Sequence, residues 1–223
     1  MSSVLMNINE PIPDNFYIFV SYNNLITANN LGVNKHIISS AYGECSDQEF
    51  RDKYLNGTAQ YLPFEPCLHK VDCHTISPFL MSTINDYRVE YDAEKYRAQY
   101  YSTFPSRLSA IFAFGDYETC KLVAQKYNWS LHTIKKFKLL PNPLMRVVKV
   151  DMEIVSLARL AYRSPLSVDT INIFWDTYWS GKKGFAMELA IPDETKILTR
   201  KIINPNPSIF EYLIEGALIL QER

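Results

Sequence analysis

The segment Phe185-Ala-Met-Glu-Leu-Ala-Ile191 places one carboxylate, Glu188, between two small side chains on one face of an alternating run, with Phe185, Met187, Leu189 and Ile191 on the other. Small neighbours leave room for a ligand, and a lone carboxylate there can stabilise a developing cation or orient a hydroxyl. The plainer reading is a glutamate on the solvent face of an antiparallel strand. Ser106, Arg107 and Ser109 stand at the entry of an apolar run ending at Phe114. An arginine fork beside two hydroxyls suits a phosphate or pyrophosphate, although the same serines also suit an ordinary turn. Cys67-Leu-His-Lys-Val-Asp-Cys-His74 gathers two thiols and two imidazoles, the ligand types of zinc, but lacks the usual pair of short ligand knuckles. No metal is expected, and partly buried structural Cys67, His69, Cys73 and His74 are the simpler reading. Lys135-Lys-Phe-Lys138 sets positive charge beside an aromatic, as single-stranded nucleic acid would favour and as plain solvated surface would also show. Neither a Gly-rich phosphate loop, a Gly-x-Ser-x-Gly elbow nor a His-Glu-x-x-His helix occurs, which takes support from phosphotransfer and the common hydrolase chemistries.

The elements that must position these residues can be read from period and punctuation. Asn15 to Val20 reads as a buried strand, followed by a helix over Tyr22 to Leu31 capped by Ser21 and ended by Gly32. Ser46-Asp-Gln-Glu49 is a capping box in sequence, and Gly57 stops the helix it opens. Tyr61 to Ser82 has no clean period, so a loop or insertion is expected near 58–90. Helices are expected over Asp92 to Tyr101, after Asp116, over Ile154 to Ala161 and over Asp169 to Trp179. Strands are expected at Leu108 to Phe114, Leu144 to Val150, Phe185 to Ile191 and Lys196 to Ile203, and a C-terminal helix over 208–222. Strands and helices mix without regular alternation, which predicts an α+β fold, one domain over 1–223.

Composition narrows the setting. The 223 residues carry 23 Lys+Arg against 24 Asp+Glu, so bulk charge argues neither for nor against nucleic acid, and any such partner must be recognised locally. With 47% hydrophobic residues, 15 Tyr, 12 Phe and 3 Trp, the chain has ample material for a core and is not a disordered one. No apolar run is long enough for a membrane span and the first ten residues lack the pattern of a secretory signal, so the expectation is a cytoplasmic protein with no membrane partner and reduced Cys45, Cys67, Cys73 and Cys120.

Four short pieces, Phe16-Tyr-Ile-Phe-Val-Ser-Tyr-Asn-Asn-Leu25, Phe104-Pro-Ser-Arg107, Tyr178-Trp-Ser-Gly181 and Ala186-Met-Glu-Leu-Ala-Ile-Pro192, together resemble the ADP-ribosyltransferase-like superfamily, closest to bacterial and phage members. The resemblance implies a mixed β core with surrounding helices and NAD⁺ as substrate: nicotinamide leaves and ADP-ribose passes to a macromolecular acceptor, nucleic acid or protein. It implies Glu188 as the catalytic glutamate, holding the ribose 2′-hydroxyl and stabilising positive charge. The Ser106 to Ser109 strand would shape the nicotinamide pocket with Arg107 on a phosphate; Ser21 and Asn24 would lie along the adenosine half, and Tyr17 or Tyr178 would stack on a ring. The loop Ser180-Gly-Lys-Lys-Gly184 would meet the acceptor through Lys182 and Lys183. By analogy, the setting would be a toxin or a phage–host conflict, with an antitoxin or host protein as partner.

Two positions depart from the family. Its first-strand His or Arg falls on Ile18 or Phe19 here, and the carboxylate often found two residues before the catalytic one is Ala186. The second change fits an acceptor other than arginine. Both also fit a catalytically inactive interaction protein on the same scaffold, binding a protein or nucleic acid. A zinc-organised protein built on Cys67, His69, Cys73 and His74 is a third alternative, which metal analysis of the purified protein would decide.

Overall fold

The run Asn15–Phe19 forms β1 as its aromatic and β-branched residues demand, with Phe16 and Ile18 buried and Tyr17 and Phe19 on the opposite face. The computed structural model describes residues 4–65, 77–162, 166–192, 198–203 and 207–221. Helix α1 (Leu25–Asn29) starts later than Ser21 predicts. Asn24 is its cap, because its side-chain oxygen accepts from the amides of both Ile26 and Thr27. The chain runs through Gly32 as a π-helical turn and leaves it at Lys35, which is left-handed at φ 56°. β2 (His36–Ile38), α2 (Ser40–Glu44) and α3 (Gln48–Leu55) follow, α3 being capped by Asp47 through the Phe50 amide and not by Ser46.

The expected helix Asp92 to Tyr101 is only the second half of α4 (Pro78–Tyr100), a 23-residue helix capped by Ser77. The expected insertion near 58–90 is therefore partly helix. Residues 66–76, which hold Cys67, His69, Cys73 and His74, lie outside the described residues. Beyond α4 come β3 (Ile111–Ala113), α5 (Tyr117–Tyr127) capped by Asp116 as expected, β4 (Ile134–Leu140), β5 (Arg146–Asp151), α6 (Met152–Ala161) and α7 (Val168–Trp179). β6 (Met187–Pro192) and β7 (Leu198–Ile203) form a two-stranded antiparallel sheet of their own.

The C-terminal helix expected over 208–222 does not form: the chain makes β8 (Phe210–Glu215) and β9 (Ala217–Leu220). Carboxylates four apart behind a serine imitate a helix, but Phe210, Tyr212 and Ile214 favour a strand, and a strand buried on both faces has no telling alternation. β8 is the middle strand of a three-stranded sheet, order β3-β8-β5, and β9 an inner strand of a four-stranded sheet, order β1-β4-β9-β2, all antiparallel. Gly216 carries the chain between the sheets, its amide donating to the Ser39 hydroxyl at 2.9 Å. At a second junction Tyr17 and Phe114 exchange backbone hydrogen bonds of 2.8 Å.

Seven helices and antiparallel sheets make the fold α+β among the described residues. One core lies where α4, α6 and α7 cover β5 and β8, around Val89, Ala93, Ile154, Phe174, Trp175, Trp179 and Leu213; both tryptophan N–H groups are satisfied, by the Tyr162 hydroxyl and the Ala93 carbonyl. A second fills the space between the sheets, with Phe16, Ile18, Phe137, Tyr212, Ile214 and Leu218. β8 thus lends Leu213 to one core and its neighbours to the other. Gly181, after α7, is left-handed at φ +72°, and a Cβ there would come within 2.9 Å of the Lys149 carbonyl, so the turn requires glycine. Among the described residues no helix is long and apolar enough to cross a membrane.

Candidate active site

On β8, Glu211, Leu213 and Glu215 share one face by strand parity, so two carboxylates point into the layer beneath α4. Across from them α4 presents Glu90, Glu94 and Arg97 at helical spacing, and the turn 106–109 lies between. Arg107 reaches one way along this layer, Ser106 and Ser109 the other.

Arg107 donates from Nε and Nη2 to the two oxygens of Glu90 at 2.8 and 3.1 Å, a bidentate pair. Its Nη1 donates to the Tyr178 hydroxyl and lies 3.5 Å from Glu211 Oε1, to which Tyr178 also donates at 3.3 Å. Burial opposes the charge of Arg107, yet Tyr178, Glu90 and Glu211 together hold its guanidinium above its ordinary pKa. Burial pushes the Glu211 carboxyl above the usual carboxylate range, against the pull of Arg107 and Tyr178. Partial burial raises Glu90 too, but Arg107 and Arg159 together take it below its ordinary value. The fork of Arg107 is turned to Glu90, and its Nη1 lies beside Tyr178 and Glu211.

Glu211 and Arg107 sit at the base of a cleft of about 320 Å³, in the size range of small-molecule sites. Its walls are aromatic: Phe19, Phe112, Phe114, Tyr127 and Trp129. α6 adds Met152, Val155, Ser156 and Arg159, one stripe of the helix at spacings of three and four. That helix is fixed at its start by buried Asp151, whose carboxylate accepts from the amides of Glu153, Ile209 and Gly184. The Tyr127 hydroxyl is anchored by Glu153 at 2.7 Å and Ser156 at 2.9 Å, and burial raises its pKa to about 12. Arg159 is half exposed at the rim, paired with Glu90 at 3.4 Å and with Asp86 at 3.9 Å. The cleft thus offers flat surfaces for a ring, a rim cation for a phosphate, and a buried carboxylate of raised pKa.

The expected site residues separate. Arg107 and Tyr178, from two of the quoted motifs, meet at the base of the cleft, Tyr178 bracing Glu211 and Arg107 from within the core. Ser106 and Ser109 are turned away: Ser106 Oγ donates to Glu94 at 2.8 Å, and Ser109 Oγ to Glu215 at 2.5 Å. Tyr17 lines a neighbouring groove, not the cleft. Ser21 is exposed and Asn24 is spent on the α1 cap. Glu188 is exposed on β6 opposite Ile202 and lines none of the cavities described here. Lys182 is exposed and 3.6 Å from Asp176, and Lys183 is exposed on the same turn. Glu211, Glu90, Trp129 and Arg159 had no sequence signal of their own except one: read as a strand, Phe210 to Glu215 puts Glu211 and Glu215 on one face. No metal-holding cluster of His, Cys, Asp and Glu occurs among the described residues. No protein-family model matches the chain, and no curated protein matches it in sequence.

Proposed function

We propose that the protein is an NAD⁺-dependent ADP-ribosyltransferase acting on a macromolecular acceptor, with Glu211 and not Glu188 as its catalytic carboxylate. The observation that carries this reading is Glu211 itself, a buried carboxylate opening onto an aromatic cleft, with Arg107 at 3.5 Å and Tyr178 at 3.3 Å. A carboxylate so placed can stabilise positive charge at a sugar carbon as a glycosidic bond breaks. Phe19, Phe112 and Trp129 give the nicotinamide ring and its ribose aromatic walls, Phe19 and Trp129 meeting edge to face, and Arg159 meets the pyrophosphate at the rim. The electron pair of the broken bond leaves with nicotinamide, and an acceptor hydroxyl or amine bonds to the sugar carbon and loses its proton to Glu211 or solvent. The α+β architecture of the described residues is the coarse fold class this reading needs.

The first-strand donor of the resembling family is absent in space as well as in sequence. Ile18 is buried between the sheets and Phe19 lines the cleft. That favours, as the second reading, a protein that binds a nucleotide or a partner such as an antitoxin without transfer. Incubation of wild type and Glu211→Gln with radiolabelled NAD⁺ and separate pools of DNA, RNA and protein tests both. Label in one pool with wild type alone supports the transferase. Absence of label and of nicotinamide release, with NAD⁺ still bound, supports the silent reading.

A further inference from the structure

β4 is a strand because Phe137 and Leu139 are buried, and this fixes where its lysines go. Its register against β1 sets Lys136 directly opposite Tyr17 and Lys138 opposite Asn15, on the face away from the inter-sheet core. Tyr17 and Lys136 form part of a groove of about 520 Å³, which also takes in Tyr22, Tyr117, His132 and Lys135. The rings of Tyr17 and Tyr117 stand 6.0 Å apart at 58°, and Tyr22 is half exposed. Among the described residues, none that lines the groove is acidic. The carboxylates nearest in sequence to Tyr117 are engaged: Asp116 caps α5 through Thr119, and Glu118 pairs with Lys121 at 2.7 Å. Neither Lys135 nor Lys136 makes an ion pair among the described residues. In a chain of net charge -1, this is a local concentration of cations beside exposed Tyr22 and half-buried Tyr17 and Tyr117, the last with Lys121 over its ring at 5.4 Å.

We propose that this groove binds single-stranded nucleic acid, bases stacking on Tyr17, Tyr22 and Tyr117 and phosphates meeting Lys135, Lys136 and His132. Stacking platforms interleaved with lysine are what an unpaired strand requires, because every base offers a π-face and every linkage a charge. A duplex hides its base faces and gains nothing from the tyrosines. The groove is also next to the cleft: Tyr17 in one and Phe19 in the other stand two residues apart on the same face of β1, about 7 Å along the strand. A strand seated in the groove therefore presents a nucleotide towards Glu211 as acceptor, a step that rests on the transferase reading, whereas the binding itself does not.

Fluorescence anisotropy with labelled oligo-dT and oligo-U of about 12 nucleotides, and with a matched duplex, separates these points. Wild type is expected to bind a single strand and to bind the duplex more weakly, the dT and U arms showing which sugar is preferred. The Lys135→Ala/Lys136→Ala protein should lower the dependence of log K on log salt by roughly 1.4, and Tyr17→Ala should weaken binding roughly tenfold. Lys182→Ala/Lys183→Ala should leave binding as it is. Equal affinity for duplex and single strand, or an unchanged salt slope in the Lys135/Lys136 protein, overturns the proposal. Strand binding without nicotinamide release keeps the groove and removes the transferase; nicotinamide release without strand binding does the reverse.

Discussion

The two ends of β8 carry the same group into opposite surroundings. At one end Glu215 is sealed: its Oε1 accepts from Ser109 Oγ and from the Ser106 amide, and Arg146 stands 3.9 Å from its Oε2, which makes no hydrogen bond among the described residues. Around it Arg97 grips Glu94 with bonds of 2.9 and 2.7 Å and donates to the Ser102 and Phe104 carbonyls, so that the turn 106–109 is fastened to α4. At the other end Glu211 has only two long contacts, from Tyr178 and Arg107, and a cleft in front of it. The comparison teaches how to tell a structural carboxylate from a chemical one: the first spends its charge on the fold, the second keeps part of its capacity for something that is not protein.

The difference can be broken most severely at the sealed end. Arg97→Ala leaves Glu94 buried without its partner and should cost about 3–5 kcal/mol, read as a lowered urea midpoint. A loss as small as that of a surface change would mean the Glu94–Arg97 pair does not hold the turn. At the open end, Glu211→Gln should reduce nicotinamide release about 100-fold or more while changing stability by only about 1 kcal/mol, because the amide still accepts from Tyr178.

A pH series sharpens the same contrast. Burial raises both Glu211 and Glu215, so the folded protein holds their protons more tightly than the unfolded chain does. Their contribution to stability is fully present below the ordinary carboxylate pKa and is lost as pH rises through the raised folded values. Glu90, lowered in the fold, contributes in the other direction, its share present above the ordinary value and lost as pH falls through the lowered one. Glu215→Gln fixes that group in a neutral form, so the variant should gain stability relative to wild type as pH rises through the raised Glu215 value, as followed by thermal melts. Activity, which needs Glu211 ionised, should have its acid limb above the ordinary carboxylate range. The smallest effect is expected on the two-stranded sheet and its approach: Glu188→Gln and Lys182→Ala/Lys183→Ala should each stay within about 0.5 kcal/mol of wild type.

Much of this was legible in the residues. β1, α5, β5, α6 and α7 lie where apolar period and caps put them, and Arg107 and Tyr178, singled out from separate motifs, do meet. What was hidden followed from one ambiguity. A strand buried on both faces carries no alternation, so Phe210 to Glu215 passed for a helix, and with it vanished the face that holds Glu211 and Glu215. Without β8 there is no Glu211 beside Arg107 and Tyr178, and Glu188 between two alanines is the glutamate the motifs single out. The Lys135 to Lys138 run shows the same effect in milder form: the alternation around Phe137 and Leu139 was present, but the charge of its neighbours drew attention to surface instead of strand.

The most direct test of the central claim is release of nicotinamide from NAD⁺ by wild type, Glu211→Gln and Glu188→Gln, each checked for an unchanged melt. Wild type and Glu188→Gln are expected to turn over alike and Glu211→Gln to fall about 100-fold or more. Turnover kept by Glu211→Gln and lost by Glu188→Gln, or absent from all three, would contradict the assignment of the cleft.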